Sequence, residues 1–276
     1  VHYRHLEVQT AFGLRRVLVT YPRRVDRREH PPGERYPIVI ALHGRTEALQ
    51  GPNRGYRAWT IRYGLTESFS TLQRGRVFSP DYGGQVRPAH LEYVNATLRA
   101  ERFRGLAVVT PYVPDIGGQT VGSERLTEYA DWLAGPLLQA VRERFPGLAQ
   151  TREGTGIDGV SLGGRVALET GFLHPEVFGA VAGMQPAIRG EEDGLADLAL
   201  AAARVAPQRI RLLSSDGDPN LFATRHLSAS LRERRIPHTL TVVPGVHDNA
   251  FNRGPAGLEM LIHHDRALAR EPVDEN

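Results

Sequence analysis

"TREGTGIDGVSLGGR", residues 151–165, decides the fold. Its first half is a short apolar run bounded by glycine, the signature of a strand. Its second half opens a helix. Between them stands Gly159-Val160-Ser161-Leu162-Gly163, a serine flanked by glycines in the spacing G-x-S-x-G. A strand that turns sharply into a helix leaves no room for side chains beside the serine. The helix that follows aims its N-terminal amides at the same point, where they favour developing negative charge. The stretch also carries an anomaly, because Asp158 stands where a buried strand ordinarily holds an apolar side chain.

Outward from this turn, the same punctuation recurs. "YPIVIALHG" is a continuous apolar run ending in glycine, as expected of a strand buried on both faces. "GLAVVTP" (105–111), "GAVAGM" (179–184), "RIRLLSS" (209–215) and "HTLTVVP" (238–244) repeat it. Helical patterns lie between them, including "SERLTEYADWLAGPLLQAVRERF", which Pro136 is expected to kink. Alternation of this kind predicts a mostly parallel sheet with helices on both faces. "HYRHLEVQT" and "LRRVLVTYP" around "AFG" predict an N-terminal β-hairpin, followed by a polar, proline-bearing loop over 22–35.

No composition break divides the 276 residues, so one domain is expected. Residues 45–104 are too long for a plain crossover. They form an insertion with a helix expected near "RPAHLEYVNATLRAERF", placed to overhang the site as a partial lid. Cysteine is absent, which excludes disulfides, thiolate metal sites and a cysteine nucleophile. All 34 basic residues are arginine, set against 31 acids. The pairs Arg15-Arg16, Arg23-Arg24 and Arg27-Arg28 therefore read as solvated surface, and no nucleic-acid partner is expected. No apolar stretch approaches the ~20 residues of a membrane span. The chain begins at Val1 without methionine, which leaves the compartment open: secreted or periplasmic if a leader was removed, cytoplasmic otherwise.

A serine hydroxyl needs a base, and the base needs an orienting acid. In this architecture the order is serine, acid, histidine. "RLLSSDGDPNLF" supplies Asp216 and Asp218 just past a strand, and "VVPGVHDNAFN" supplies His247 after the last one. Asp218 is favoured because it has left the strand far enough to reach back to a histidine, which leaves Asp216 as a turn residue. Asp158 precedes the serine, so it is expected to brace neighbouring loops or an arginine beneath the turn. His263-His264-Asp265 could suggest a metal cluster, but adjacent helical residues do not share a face, so exposed helix surface is expected there. Two backbone donors are expected for an oxyanion: the N–H of Leu162, and that of Arg45, or else Thr46, after "IALHG". Trp59, Tyr63, Tyr82 and Tyr112 are candidates for an acyl pocket.

"LHG", "GVSLGGRVALETGFLHPEVFGAV" and "DGDPNLFATRHLSASLRERRIPHTLTVVPGVHDNAF" resemble the α/β-hydrolase superfamily. Within it they are similar to the esterase group that includes esterase D, feruloyl and acetyl-xylan esterases, enterochelin esterase and the antigen 85 mycolyltransferases. The resemblance runs from about residue 37 to the end and implies Ser161 as nucleophile, His247 as base and Asp218 as acid. It also implies a serine carboxylic-ester hydrolase that needs no metal or organic cofactor and acts on a small or polymeric ester. An acyltransferase to a sugar or lipid alcohol, and a polyester- or polysaccharide-binding protein with vestigial catalysis, are the alternatives. The sequence departs from the group at Val246, where a second glycine is usual, and across residues 50–100, where no pattern matches.

Overall fold

The computed structural model describes residues 1–10, 13–26, 34–116 and 120–272; the hairpin tip Ala11-Phe12 and the pair Arg27-Arg28 lie outside them. Eight strands build one sheet: β1 (His2–Thr10), β2 (Gly13–Tyr21), β3 (Ile38–Leu42), β4 (Ala107–Thr110), β5 (Thr155–Gly159), β6 (Ala180–Met184), β7 (Arg209–Gly217) and β8 (His238–Val246). Their spatial order is β1-β2-β4-β3-β5-β6-β7-β8. β1 and β2 form the expected hairpin, in register from His2 opposite Tyr21 to Thr10 opposite Gly13. β2 also runs antiparallel to β4. Every pairing from β4 through β8 is parallel.

The central strands read as unbroken apolar runs because both of their faces are covered. In β3, Ile38, Ile40 and Leu42 enter one apolar cluster while Val39 and Ala41 enter the other, the period-two alternation of a pleated strand. Eight longer helices flank the sheet. α1 (Leu65–Gln73), α2 (Pro88–Ala100) and α8 (Gly257–Ala267) pack apolar side chains into the second cluster. α3 (Glu124–Trp132), α4 (Leu138–Arg144), α5 (Leu162–Leu173), α6 (Glu192–Val205) and α7 (Leu221–Glu233) pack into the first. Residues 45–104 therefore contribute much of one layer, with Trp59, Tyr63, Leu65, Phe69, Leu72 and Tyr82 inside the second cluster. The helix expected near residue 87 is α2. None of the described helices is long and apolar enough to cross a membrane.

Helical backbone runs without a break from Glu124 to Arg144, with Pro136 inside it. The proline sits in one π-helical turn, Leu133–Leu137, between α3 and α4. A proline cannot donate to the carbonyl four residues back, and a widened turn accommodates the loss of that bond. Pro255 stands in a second such turn, Asn252–Ala256, just before α8.

Asp158 faces the second cluster, opposite Ala41 in the β3–β5 register, and is fully buried. Its Oδ2 accepts from Arg211 on β7 at 2.8 Å and lies 3.2 Å from His264 Nε2 on α8. Its Oδ1 accepts the Gly159 N–H at 2.8 Å. This arrangement corrects the reading of His263-His264-Asp265 as exposed helix surface. His264 and Asp265 are only 0% and 2% exposed, and they point into separate networks. The Asp265 carboxylate accepts the N–H groups of Arg104 and Gly105. Among the described residues, no three metal-ligating side chains converge.

An unpaired arginine at Asp158's depth is costly, so Asp158→Ala should lose about 3–5 kcal/mol of stability, the range for breaking a buried ion pair. Asp158→Asn keeps a hydrogen-bond acceptor and should lose less. Urea midpoints read both effects, and turnover per folded molecule should change far less than the midpoints do. An Asp158→Asn protein as stable as the parent but slow would move Asp158 from bracing to chemistry.

Candidate active site

Ser161 closes β5 and caps α5 with φ 58° and ψ −118°. An L-residue held at such angles carries strain on the order of 1–3 kcal/mol. Close backbone approach on both sides maintains it. A Cβ on Gly159 would overlap the Gly163 carbonyl, and one on Gly163 would overlap the carbonyls of Leu42 and His43. The Ser161 N–H donates to the Met184 carbonyl at 2.9 Å, and the Ser161 carbonyl accepts from Arg165 and Ala187. The turn is thus tied to α5 and to the loop after β6.

The structure brings Ser161, His247 and Asp218 into one hydrogen-bonded row. His247 Nε2 lies 2.9 Å from Ser161 Oγ, and His247 Nδ1 lies 2.9 Å from Asp218 Oδ1. A carboxylate at Nδ1 demands the Nδ1–H tautomer, which leaves the Nε2 lone pair facing the serine hydroxyl. Asp218 also accepts from Ser214 Oγ at 2.6 Å and from the Asn220 N–H at 2.9 Å. Burial alone would raise its pKa, but these bonds together with His247 outweigh burial and hold it below the usual carboxylate value. Asp216 turns elsewhere. It pairs with Arg87 at 3.0 Å and accepts the Gly245 N–H at 3.1 Å, which ties the histidine-bearing loop to the 45–104 segment. The positive φ in that loop falls on Gly245, at 128°, and Val246 needs none.

Leu162 and Arg45 are each the first residue of a helical turn, so neither N–H has a partner within its own helix. The two turns meet: a Cβ on Gly44 would stand 3.7 Å from Ser161 Cβ. His43 orients the second turn. Its Nδ1 donates to the Gly44 carbonyl at 2.9 Å, while Nε2 accepts the Val113 N–H at 2.9 Å. Because the peptide unit is planar, fixing the Gly44 carbonyl also aims the Arg45 N–H that shares its plane. The exposed Arg45 side chain is engaged in a bidentate pair with Asp115.

The aromatic candidates are placed differently from the expectation. Trp59, Tyr63 and Tyr82 are fully buried, with Trp59 packed edge-on against Tyr63 and the Tyr82 hydroxyl bound to Glu259. They offer no face to a substrate. Their place in the insertion marked them as pocket candidates but not as interior, because the layer they complete is assembled from distant segments. Tyr112 is partly exposed and lines a cavity of about 210 Å³ with Pro114, Ile116, Tyr129 and Trp132, on the hairpin side of the Arg45 turn. Three positioning residues escaped sequence reasoning: His43, Ser214 and Gln185. Gln185 sits at φ 43°, and its Nε2 joins Ser215 Oγ to the Val246 carbonyl beside His247. A serine inside the buried strand "RLLSS" was the one available signal for Ser214.

No family model matches the chain. No curated protein matches it either. Solved structures do. A ferulic acid esterase superposes with a TM-score of 0.69 at 17% identity, over 97% of this chain and 98% of that one. S-formylglutathione hydrolase from Staphylococcus aureus gives 0.61 at 14% identity, over 96% of both chains. A ferulic acid esterase from Anaeromyces mucronatus gives 0.57 at 18%, over 94% of this chain and 90% of that one. With its strand order, crossovers and elbow, the chain has the α/β-hydrolase fold.

Burial lowers the His43 pKa from 6.5 to about 4, with the Gly44 carbonyl only partly opposing the shift. The unfolded chain protonates this ring near 6.5 and the folded chain only near 4, so the unfolded state binds more protons in between. Stability is therefore complete above about pH 6.5 and declines as pH falls, by about 3 kcal/mol for this ring once pH 4 is passed. His264, lowered mainly by burial against the opposing pull of Asp158, adds to the decline with the same sign. Urea midpoints between pH 7.5 and 4.5 measure the slope, and His43→Gln should flatten it.

Proposed function

We propose that this chain is a serine carboxylic-ester hydrolase. The observation that carries the reading is the unbroken row from the Asp218 carboxylate through His247 to a strained Ser161 at the head of α5. In this mechanism, His247 Nε2 accepts the Ser161 proton as Oγ attacks the ester carbonyl carbon. Asp218 keeps Nδ1–H in place and stabilises the imidazolium that forms. The carbonyl oxygen, now carrying the charge, is received by the N–H groups of Leu162 and Arg45. His247 returns its proton to the departing alcohol, and an acyl group remains on Ser161. Water, deprotonated by the same histidine, then attacks the acyl carbon, and collapse of the second tetrahedral adduct releases the acid and restores Ser161.

The ester-cleaving and thioester-cleaving names of the structural neighbours agree with this chemistry. Support for Arg45 as the second donor comes from the Gly44–Ser161 approach and from a side chain engaged elsewhere.

Ser161→Ala should lower kcat on p-nitrophenyl acetate by about 10⁴-fold or more, and Asp218→Asn by about 10⁴-fold with the fold intact. A fluorophosphonate should label Ser161 stoichiometrically, as read by peptide mass spectrometry. Hydrolysis that survives Ser161→Ala would end the reading.

A further inference from the structure

The turn after β3, which approaches Ser161 at Gly44, carries three consecutive backbone N–H groups, those of Gly44, Arg45 and Thr46. Only one is needed alongside Leu162, and a buried pair of side chains bears on which. The Gly44 N–H donates to Tyr63 Oη at 3.3 Å. The Tyr63 hydroxyl in turn donates to Glu47 Oε2 in a short hydrogen bond, and Arg62 Nε stands 3.4 Å from Glu47 Oε1. Tyr63 is fully buried and Glu47 is only 4% exposed. A Cβ at Gly44 would lie 3.5 Å from both Tyr63 Oη and Glu47 Oε2, and 3.7 Å from Ser161 Cβ. The pair thus backs directly onto the glycine that faces the nucleophile.

We propose that Tyr63 and Glu47 form a positioning dyad that withdraws the Gly44 N–H from the oxyanion site and presents the Arg45 N–H there instead. The inference rests on the serine-hydrolase reading. A phenolic hydroxyl spins about its C–O bond, and a lone tyrosine could offer Gly44 either its proton or its lone pair. The Glu47 carboxylate accepts a hydrogen bond from the Tyr63 O–H and so leaves the hydroxyl lone pair for Gly44. His43 holds the carbonyl of the same glycine, so both peptide planes through Gly44 are fixed, one by each side. Burial and the charge of Glu47 push the Tyr63 phenol up, which keeps its proton in place through neutral and alkaline conditions.

The test compares parent, Tyr63→Phe, Glu47→Gln and Glu47→Ala on p-nitrophenyl acetate, with a trifluoromethyl ketone as oxyanion mimic. Tyr63→Phe leaves the Gly44 N–H without its acceptor and one peptide plane through Gly44 unheld, so the Arg45 N–H loses its fixed aim. The substitution should lower kcat about 10- to 100-fold with KM within about 3-fold, and weaken the ketone by the same factor as kcat. Glu47→Gln retains an acceptor for the tyrosine and should recover most of kcat, whereas Glu47→Ala should behave like Tyr63→Phe. A merely structural tyrosine would lower the amount of folded protein without this split. A Tyr63→Phe protein within about 2-fold of the parent in kcat and ketone affinity overturns the dyad. If Tyr63→Phe fails to fold, an unchanged kcat in Glu47→Ala does so. A parent with neither ester hydrolysis nor fluorophosphonate labelling of Ser161 ends the serine-hydrolase reading and takes the dyad with it. An active parent with an indifferent dyad ends only this inference.

Discussion

The constraint on which the rest depends is the close approach of three backbones at Ser161. β5, the start of α5 and the end of β3 come so near one another that Gly159 and Gly163 have no space for a Cβ. Within that contact the serine has no room to relax to ordinary dihedrals, and its side chain is driven out above the carboxyl edge of the sheet. The candidate site is arranged around that projected hydroxyl. The loops after β3, β6, β7 and β8 all open on the same edge, because parallel strands put all their carboxyl ends together. Residues as far apart in sequence as Gly44 and His247 therefore meet at one point.

Holding a strained turn requires a foundation that does not yield, and the structure supplies it in two forms. One is apolar: both faces of the central strands are sealed by helices. The other is polar and deeply buried: Asp158, Arg211 and His264 tie β5, β7 and α8 together immediately below the elbow. Such a buried ion pair is weak evidence for net stability, since desolvation offsets most of its attraction. What it supplies is a fixed relation between elements, because one carboxylate on β5 holds side chains from both β7 and α8.

Much of this was legible in the sequence, and the parts that were not share a physical cause. Strands such as "YPIVIALHG" announce themselves because burial on both faces is a local property of composition. The elbow is visible because its steric demand is met by glycines within five residues. Asp218 was separable from Asp216 by how far each had left its strand. Longer-range relations left no comparable trace. Trp59, Tyr63 and Tyr82 read as pocket aromatics, yet whether an aromatic lines a pocket or fills a layer depends on helices brought in from elsewhere. His264 read as surface because helical spacing says nothing about a carboxylate on a strand a hundred residues away. His43 and Gln185 act through single hydrogen bonds to backbone atoms, which no residue pattern encodes.

The histidine loop has a fastening unlike the rest of the site. His247 follows β8, the edge strand of the sheet, whose end is held by its pairing with Gly217, by Gln185, and by Asp216 with Arg87, a pair about half exposed on each side. Pairs of that kind contribute about 1 kcal/mol or less and weaken with salt. Of the ties beside His247, the Asp216–Arg87 pair is therefore the one that salt loosens first. As salt rises, the tie between the edge strand and the insertion is set to loosen ahead of the architecture: a folded, ordered sheet with its 45–104 segment less firmly joined beside His247.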